Sequence, residues 1–137
     1  MEQAESPKLV PELDVSDIED ALAFYTGVCG FTLRYRRSQE RFAYLAREGA
    51  ELMLQQADGP GRRFRTAPLQ PPYGRGVNFQ IEVSDVRALY AGILAAGVTP
   101  LLEIERRSYR VGDEEVVNEQ FVVADGDGYL LRFFSRA

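Results

Sequence analysis

Apolar and polar residues alternate in two stretches of the chain that resemble each other. The sequence LVPELDVSDIEDALAFY occupies positions 9–25, and GVNFQIEVSDVRALY occupies positions 76–90. In each stretch the alternating run is typical of a β-strand, and it leads through Ser-Asp into apolar residues at helical spacing. The pattern predicts a strand followed by an amphipathic helix in each copy.

The two predicted helices have recognisable start and end signals. Ser16 with Glu19 three residues later resembles a capping box at the first helix, and Gly30 and Gly97 are suited to the left-handed turns that end helices. The apolar spacing then predicts which helical residues are buried. These residues are Ile18, Ala21, Leu22 and Tyr25 in the first helix, and Val86, Leu89, Tyr90, Ile93, Leu94 and Gly97 in the second.

Three further strand-like runs follow each helix, so each half has the order βαβββ. The runs occupy positions 31–37, 41–47 and 51–56 in the first half, and 101–107, 116–124 and 129–135 in the second. We therefore predict an α+β fold whose two tandem βαβββ modules form curved mixed sheets around a cleft. Within one domain, 1–137, the modules are assigned to residues 9–57 and 76–136, and residues 58–75 form a connecting loop rich in Pro, Gly and Arg.

Each predicted sheet has one face under its helix and a second face that one helix cannot cover. By the two-residue period, the second face carries Glu12 and Asp14 in the first half and Asn78, Gln80 and Glu82 in the second. Met53, Leu130, Arg132 and Phe134 share these faces by register. Two interpretations stay open: the faces are solvated, as in many antiparallel sheets, or they line a partly enclosed cavity.

Composition narrows the range of partners. The chain has 137 residues, of which 45% are hydrophobic, and a formal net charge of -5. This acidity argues against nucleic acid and favours a cationic or neutral small molecule, although it is also common among soluble proteins. No apolar run approaches the roughly 20 residues of a membrane helix, so we expect no membrane partner and a cytoplasmic location.

The absence of histidine excludes much of the usual catalytic chemistry. With no imidazole and only one thiol, Cys29, the chain has no histidine base, no Ser-His or Cys-His pair and no ordinary zinc site. A metal would need oxygen ligands, and no loop has the acidic density of a calcium site. Cys29 is expected to be a buried small side chain rather than a reactive thiol.

Two motifs are similar to those of one superfamily. The run VSDIEDALAFYTGVCGF at 15–31 and the closing run FVVADGDGYLLRF at 121–133 resemble the vicinal oxygen chelate superfamily, which includes glyoxalase I, extradiol dioxygenases and bleomycin resistance proteins. The resemblance covers nearly the whole chain. The second motif differs from the family's common D-P-D-G-N turn at Gly126 and Tyr129.

The resemblance implies where a metal would be bound. In metal-dependent members, ligands lie at the start of the first strand and on the last strand of each half. On this sequence those positions carry Val10, Met53, Asn78 and Arg132. None of these is a ligand of the expected type, and an arginine there would repel a divalent cation. We therefore expect no metal and no cofactor.

The resemblance is closest to the bleomycin resistance branch, which lacks the metal site and whose dimers sequester a cationic glycopeptide antibiotic in shared clefts. It implies a homodimer that binds a small molecule without catalysis. The alternatives are a metal-dependent lyase, isomerase or dioxygenase with atypical ligands such as Glu12, Asp14 or Glu82, and a metabolite-binding module. The predicted ligand-binding residues are Glu12, Asp14, Met53, Tyr73, Asn78, Gln80, Glu82, Tyr109, Arg132 and Phe134.

Aromatic and basic residues supply further candidates with two interpretations each. Tyr35, Phe42, Tyr44 and Phe121, like most aromatics, are expected in the core, whereas Tyr73 and Tyr109 are placed in loops, where they could stack on a planar ligand. The run GRRFR at 61–65 is typical of a solvated loop. If it is functional, it would close over a cavity or cover a partner subunit.

Overall fold

The computed structural model describes residues 7–137, and they form two compact units that divide between Tyr73 and Gly74. We call them unit 1 and unit 2 and describe each by itself. In this described part of the chain, no helix is both long and apolar enough to cross a membrane.

Unit 1 contains a four-stranded mixed sheet and one helix. Its elements are β1 (Glu12–Val15), α1 (Ile18–Leu22) with a π-helical continuation (Ala23–Val28), β2 (Thr32–Arg37), a 3-10 turn (Ser38–Glu40), β3 (Phe42–Arg47) and β4 (Ala50–Gln56). The strand order is β1-β4-β3-β2. β1 runs parallel to β4, and the other pairs are antiparallel.

Unit 2 repeats the same arrangement. Its elements are β5 (Asn78–Glu82), α2 (Val86–Ala95), β6 (Leu102–Val111), β7 (Glu114–Ala124) and β8 (Leu130–Arg136). The strand order is β5-β8-β7-β6, with β5 parallel to β8. The predicted α+β fold of two tandem βαβββ modules with mixed sheets is therefore confirmed.

Both helices are capped at the N-terminus by an aspartate rather than by the preceding serine. Asp17 has an extended backbone (φ -145°), and its carboxylate accepts a hydrogen bond from the Asp20 N–H at 2.9 Å. Asp85 caps α2 in the same way through the Ala88 N–H at 3.0 Å. The capping box predicted from Ser16 and Glu19 is wrong, because the helix starts one residue later than that motif requires.

The first helix widens before it ends. The Cys29 N–H donates to the Phe24 carbonyl, five residues back, at 3.0 Å, which is the hydrogen bond of a π-helix. Gly30 then takes a positive φ of 76°, and Gly97 does the same after α2 with 82°. Both glycines therefore end their helices as predicted, and Cys29 is buried as expected.

Alternation separates core from surface in both sheets. Leu13, Val15, Leu45 and Leu54 are almost fully buried in unit 1, which also buries Ile18 and Leu22 of α1. The corresponding core of unit 2 contains Ile81, Phe121, Leu131, Phe133 and Ile93. Two predicted core residues are wrong. Leu94 is 47% exposed, because Ile93 occupies the buried stripe and the next residue lies about 100° further around the helix, and Gly97 is exposed just beyond the end of α2. Ala21 and Tyr90 are half-buried.

The turn between β7 and β8 is stabilised by one buried carboxylate. Asp125 accepts hydrogen bonds from the N–H groups of Asp127 at 2.9 Å and of Tyr129 at 3.0 Å. Gly74 packs against this turn so closely that a Cβ there would lie 2.3 Å from the Tyr129 nitrogen. The Asp125 hydrogen bonds and the close packing of Gly74 therefore both stabilise this turn.

We expect Asp125→Ala to destabilise the protein by about 2 to 4 kcal/mol, because it leaves two buried amides without an acceptor. Asp113→Ala, an exposed aspartate in the β6–β7 turn, is the matched control and should cost less than about 0.5 kcal/mol. Urea unfolding measures both values. Equal losses for the two variants would show that the Asp125 hydrogen bonds contribute little.

Candidate functional site

The face of the unit 1 sheet that lies away from α1 carries two rows of side chains running across the strands. Register pairs Glu12 with Met53, Met53 with Tyr44, and Tyr44 with Tyr35. The second row runs from Asp14 through Gln55 and Phe42 to Arg37. We call these eight residues the aromatic face.

Three aromatic rings form the centre of this face. Tyr35 and Tyr44 are stacked, with 5.2 Å between ring centroids and 16° between ring planes. Arg37 lies over the Phe42 ring at 4.1 Å. Arg37 also lies over the Tyr35 ring, at 5.8 Å from its centroid. Tyr35 is 47% exposed whereas Tyr44 and Phe42 are buried, so Tyr35 is the ring of this cluster that is most accessible from outside. These residues were expected in the core, and only Phe42 and Tyr44 are buried.

A buried carboxylate fixes the stacked tyrosines. Glu51 accepts a hydrogen bond from the Tyr44 hydroxyl at 2.5 Å and pairs with Arg34 at 3.1 Å, and its side chain is only 8% exposed. Arg34 reaches this face because the β2–β3 register shifts between Leu33 and Tyr35. The sequence gives no signal for this bulge, so neither Arg34 nor Glu51 was a candidate.

The basic run at 61–65 is bound to the strand ends. Arg65 donates to the Asp14 carboxylate at 2.8 Å and to the Ala57 carbonyl at 3.0 Å. Arg63 donates to the Gln56 carbonyl, and its Nε lies 3.6 Å from Asp14. We call residues 61–65 the strap. The strap already pairs the charge of Asp14, which was a predicted ligand-binding residue.

A cavity of about 290 Å³ lies at this end of the aromatic face. It is lined by Glu12, Arg37, Glu40, Phe42, Gln55, Arg62 and Phe64. Arg37 and Glu40 pair at 2.8 Å, and this hydrogen bond raises the pKa of Arg37 above its usual value. Both walls of the cavity therefore combine aromatic rings with charged groups, as ligand sites commonly do.

Unit 2 carries a more polar face at the equivalent position, which we call the polar face. β5 and β8 pair Asn78 with Leu130, Gln80 with Arg132 and Glu82 with Phe134, in the register that the alternation predicts. The three β5 side chains are exposed, Arg132 is half-buried and Phe134 is buried. Arg132 donates to the Gln80 side-chain oxygen at 2.5 Å, so its partner is an amide rather than an acid.

A second polar cluster extends the polar face onto β6 and β7. The Gln120 amide donates to the Tyr109 hydroxyl at 2.6 Å and to Glu105 at 3.1 Å. The predicted loop position of Tyr109 is wrong, because the strand β6 continues to Val111. The extra length comes from β6–β7 pairing that reaches the tip of a hairpin. Glu105 and Gln120 were not candidates on sequence.

Tyr73 lies outside both rows of paired strands. It is half-buried in a turn of the connecting segment, at the end of unit 1. Of the ten predicted residues, the structure places Glu12, Asp14 and Met53 on one face of unit 1. It places Asn78, Gln80, Glu82, Arg132, Phe134 and Tyr109 on one face of unit 2.

Unit 2 also has a cavity of about 330 Å³ on its helix side, lined by Arg87, Tyr90, Ile104, Glu105, Arg106 and Glu119. Arg87 and Glu119 pair there at 2.5 Å. This hydrogen bond lowers the pKa of Glu119 and raises that of Arg87. Arg37 and Glu40 pair similarly in the 290 Å³ cavity of unit 1, so ion pairing alone does not distinguish the two cavities.

The four positions at which metal-dependent relatives would bind a metal do not fit one here. Val10 and Met53 are apolar, and Arg132 adds a positive charge that is bound to Gln80. Asn78 alone has an oxygen of a kind that binds hard cations. Among residues 7–137, no three His, Cys, Asp or Glu side chains converge into a group that could hold a metal ion.

Comparison with solved structures shows the same fold in several bacterial proteins. TioX from Micromonospora sp. ML1 is 21% identical, with a TM-score of 0.74 over 96% of this chain and 100% of its own. Virulence protein STM3117 from Salmonella typhimurium is 20% identical, with a TM-score of 0.72 over 98% and 100% of the two chains. A glyoxalase/bleomycin resistance protein/dioxygenase from Alicyclobacillus acidocaldarius is 20% identical, with a TM-score of 0.62 over 97% and 95%.

No curated protein matches the sequence. A family model does match, that of the Glyoxalase/Bleomycin resistance protein/Dioxygenase superfamily, and it covers residues 11–133. The match reaches from β1 into β8 and includes both faces described above except Phe134. The chain therefore belongs to the glyoxalase/bleomycin resistance protein/dioxygenase superfamily.

Proposed function

We propose that this protein binds a small organic molecule without catalysis, as a cytoplasmic homodimer of the bleomycin resistance type. The observation that carries the proposal is the aromatic face, where the exposed Tyr35 stacks on Tyr44 beside an adjoining cavity. Members of this superfamily bind small ligands. A stacking platform beside charged groups suits a planar ligand that also carries polar substituents.

Charge supports a cationic ligand such as a glycopeptide antibiotic. Glu12 and Glu82 are exposed carboxylates without an ion pair among the described residues, one in each unit. The chain also carries a net charge of -5. Unpaired carboxylates on such faces would attract ligand amines and orient them.

The same geometry disfavours a metal-dependent enzyme with unusual ligands. Of the three acids that could serve, Asp14 is paired with Arg65 at 2.8 Å and lies 3.6 Å from Arg63. A metal at Asp14 would have to displace a guanidinium and would then lie beside two positive charges. A module that binds an endogenous metabolite would use the same faces, and only ligand tests separate it from a resistance protein.

The first prediction of this proposal is that a bleomycin-type drug binds the purified protein, and that Glu12→Gln, Glu82→Gln and Arg132→Met weaken this binding. Removal of a desolvated charge contact costs about 2 to 5 kcal/mol of binding free energy, whereas an exposed ion pair contributes about 1 kcal/mol or less. Isothermal titration calorimetry gives the affinity, and a melting curve for each variant shows that stability hardly changes.

Glu114→Gln is the matched control, since Glu114 is exposed at the β6–β7 hairpin and its substitution removes the same charge. It should leave the affinity within about twofold, as expected for a screened surface charge. A parent protein that does not bind the drug would remove the antibiotic assignment. Equal effects of Glu114 and Glu82 substitutions would show a general charge effect instead of a site.

The second prediction concerns metal content. Because Val10, Met53 and Arg132 occupy expected ligand positions, the protein purified without chelators should contain much less than one equivalent of zinc, nickel, manganese or iron. Elemental analysis by mass spectrometry gives the ratio. One equivalent of any of these metals would contradict the proposal and favour an atypical metalloenzyme.

The third prediction is a two-fold dimer. Apolar side chains remain exposed at strand positions in the single chain, including Leu33 at 38% and Val111 at 60%. Each sheet also has a face that its own helix does not cover, and a second copy would bury such surface. Analytical ultracentrifugation should give a dimer at micromolar concentration, and a monomer there would count against the shared-cleft arrangement.

A further inference from the structure

Gln55 is a buried polar side chain that lacks a protein partner. It lies between Asp14 and Phe42 in the second row of the aromatic face and is only 5% exposed. Its amide makes no hydrogen bond with any of residues 7–137, although it lines the unit 1 cavity. The amide is therefore an accessible donor and acceptor at the cavity, able to bind a ligand as well as water.

The strap leaves room for the Gln55 amide at the cavity wall. A Cβ on Gly61 would lie 2.0 Å from the Gln55 Nε2, so only glycine allows the strap to pass this close. Phe42 is 2% exposed and forms an inner wall, whereas Phe64 is 80% exposed and has Arg62 over its ring at 4.8 Å. The cavity therefore has an amide in one wall and aromatic rings in others.

The charges around this amide balance. Arg37 and Glu40 pair with each other at 2.8 Å. Glu12 and Arg62 are the two remaining charged side chains of the cavity, and neither has an ion pair among the described residues. With one free charge of each sign, the cavity favours neither an anion nor a cation. A neutral head group that both donates and accepts fits Gln55 best.

We propose that this cavity binds an aromatic carboxamide, with the amide head on Gln55 and the ring among Phe42 and Phe64. Two amides can exchange a pair of hydrogen bonds, because each supplies an N–H and a carbonyl oxygen. The aromatic ring of the ligand would pack against Phe42 and Phe64, a contact that an amide without a ring could not make. This inference rests on the proposed small-molecule binding and names the ligand class for the unit 1 part of the site.

The test compares three probes of similar size with a neutral, an anionic and a cationic head: benzamide, benzoate and benzylammonium. NMR titration of the isotope-labelled full chain should show benzamide binding most tightly and shifting the side-chain NH2 signals of Gln55. A preference for benzoate or benzylammonium would overturn the proposal. Binding of benzamide without any change in the Gln55 signals would overturn it as well.

Variants then connect the binding to one side chain. Gln55→Leu should weaken benzamide binding about tenfold, the loss expected for two neutral hydrogen bonds. Gln39→Leu is the matched control, because Gln39 is exposed in the same unit outside the cavity and should change nothing. Gln55→Glu should reverse the preference toward benzylammonium, since it replaces the neutral head by a carboxylate. Unchanged preference in Gln55→Glu would contradict the assignment.

The outcome separates this inference from the proposed function. If the parent protein does not bind benzamide, and Gln55→Leu does not change drug binding, the carboxamide site is contradicted and the proposed function still holds. Benzamide binding without drug binding would keep the carboxamide site and remove the antibiotic assignment. If Gln55→Leu fails to fold, Gly61→Ala displaces the amide without removing it and should weaken benzamide binding in the same direction.

Discussion

The parallel pairing of the first and last strands in each unit determines where chemistry can occur. β1 lies beside β4 and β5 beside β8, so residues that are far apart in sequence become neighbours in one row. Asp14 thereby meets Gln55, and Gln80 meets Arg132. Since parallel strands end at the same edge, the connecting segment that leaves β4 starts beside the end of β1. The strap can therefore bind Asp14 with Arg65 at short range.

Most of the fold follows from two periods in the sequence. Alternation predicts which residues of β1 and β5 face the helix, and helical spacing predicts most of the buried positions of α1 and α2, although Leu94 and Gly97 are exposed. These predictions succeed because burial of a whole face or stripe involves many residues, and each residue adds to the same pattern. The predicted N-cap of α1, Ser16, is one residue too early because serine and aspartate are both good caps and Asp17 takes that position.

The candidate site was harder to predict because it depends on local departures from those periods. The bulge at Arg34 turns a side chain toward Glu51, and the pattern of β2 gives no sign of it. The strap has no periodicity at all, so its contacts with Asp14 and Gln56 follow only from the folded chain. Tyr109 lies in a strand because β6 pairs with β7 as far as Val111. From the sequence alone, the polar residues of β6 resemble a loop, since the partner strand is unknown.

The two units share one topology but differ in what their faces can bind. The equivalent last-strand positions hold Met53 in unit 1 and Arg132 in unit 2, and each is paired across to the first strand with Glu12 or Gln80. In unit 1 the buried Glu51 is occupied by Tyr44 and Arg34, so it stabilises a stack rather than acting as a free base. Among the side chains that line the cavity, Gln55 makes no hydrogen bond and Glu12 and Arg62 make no ion pair with any residue in the described part of the chain. An amide and two separate charges around aromatic rings can hold and orient a ligand, which is the physical basis of the proposed binding function.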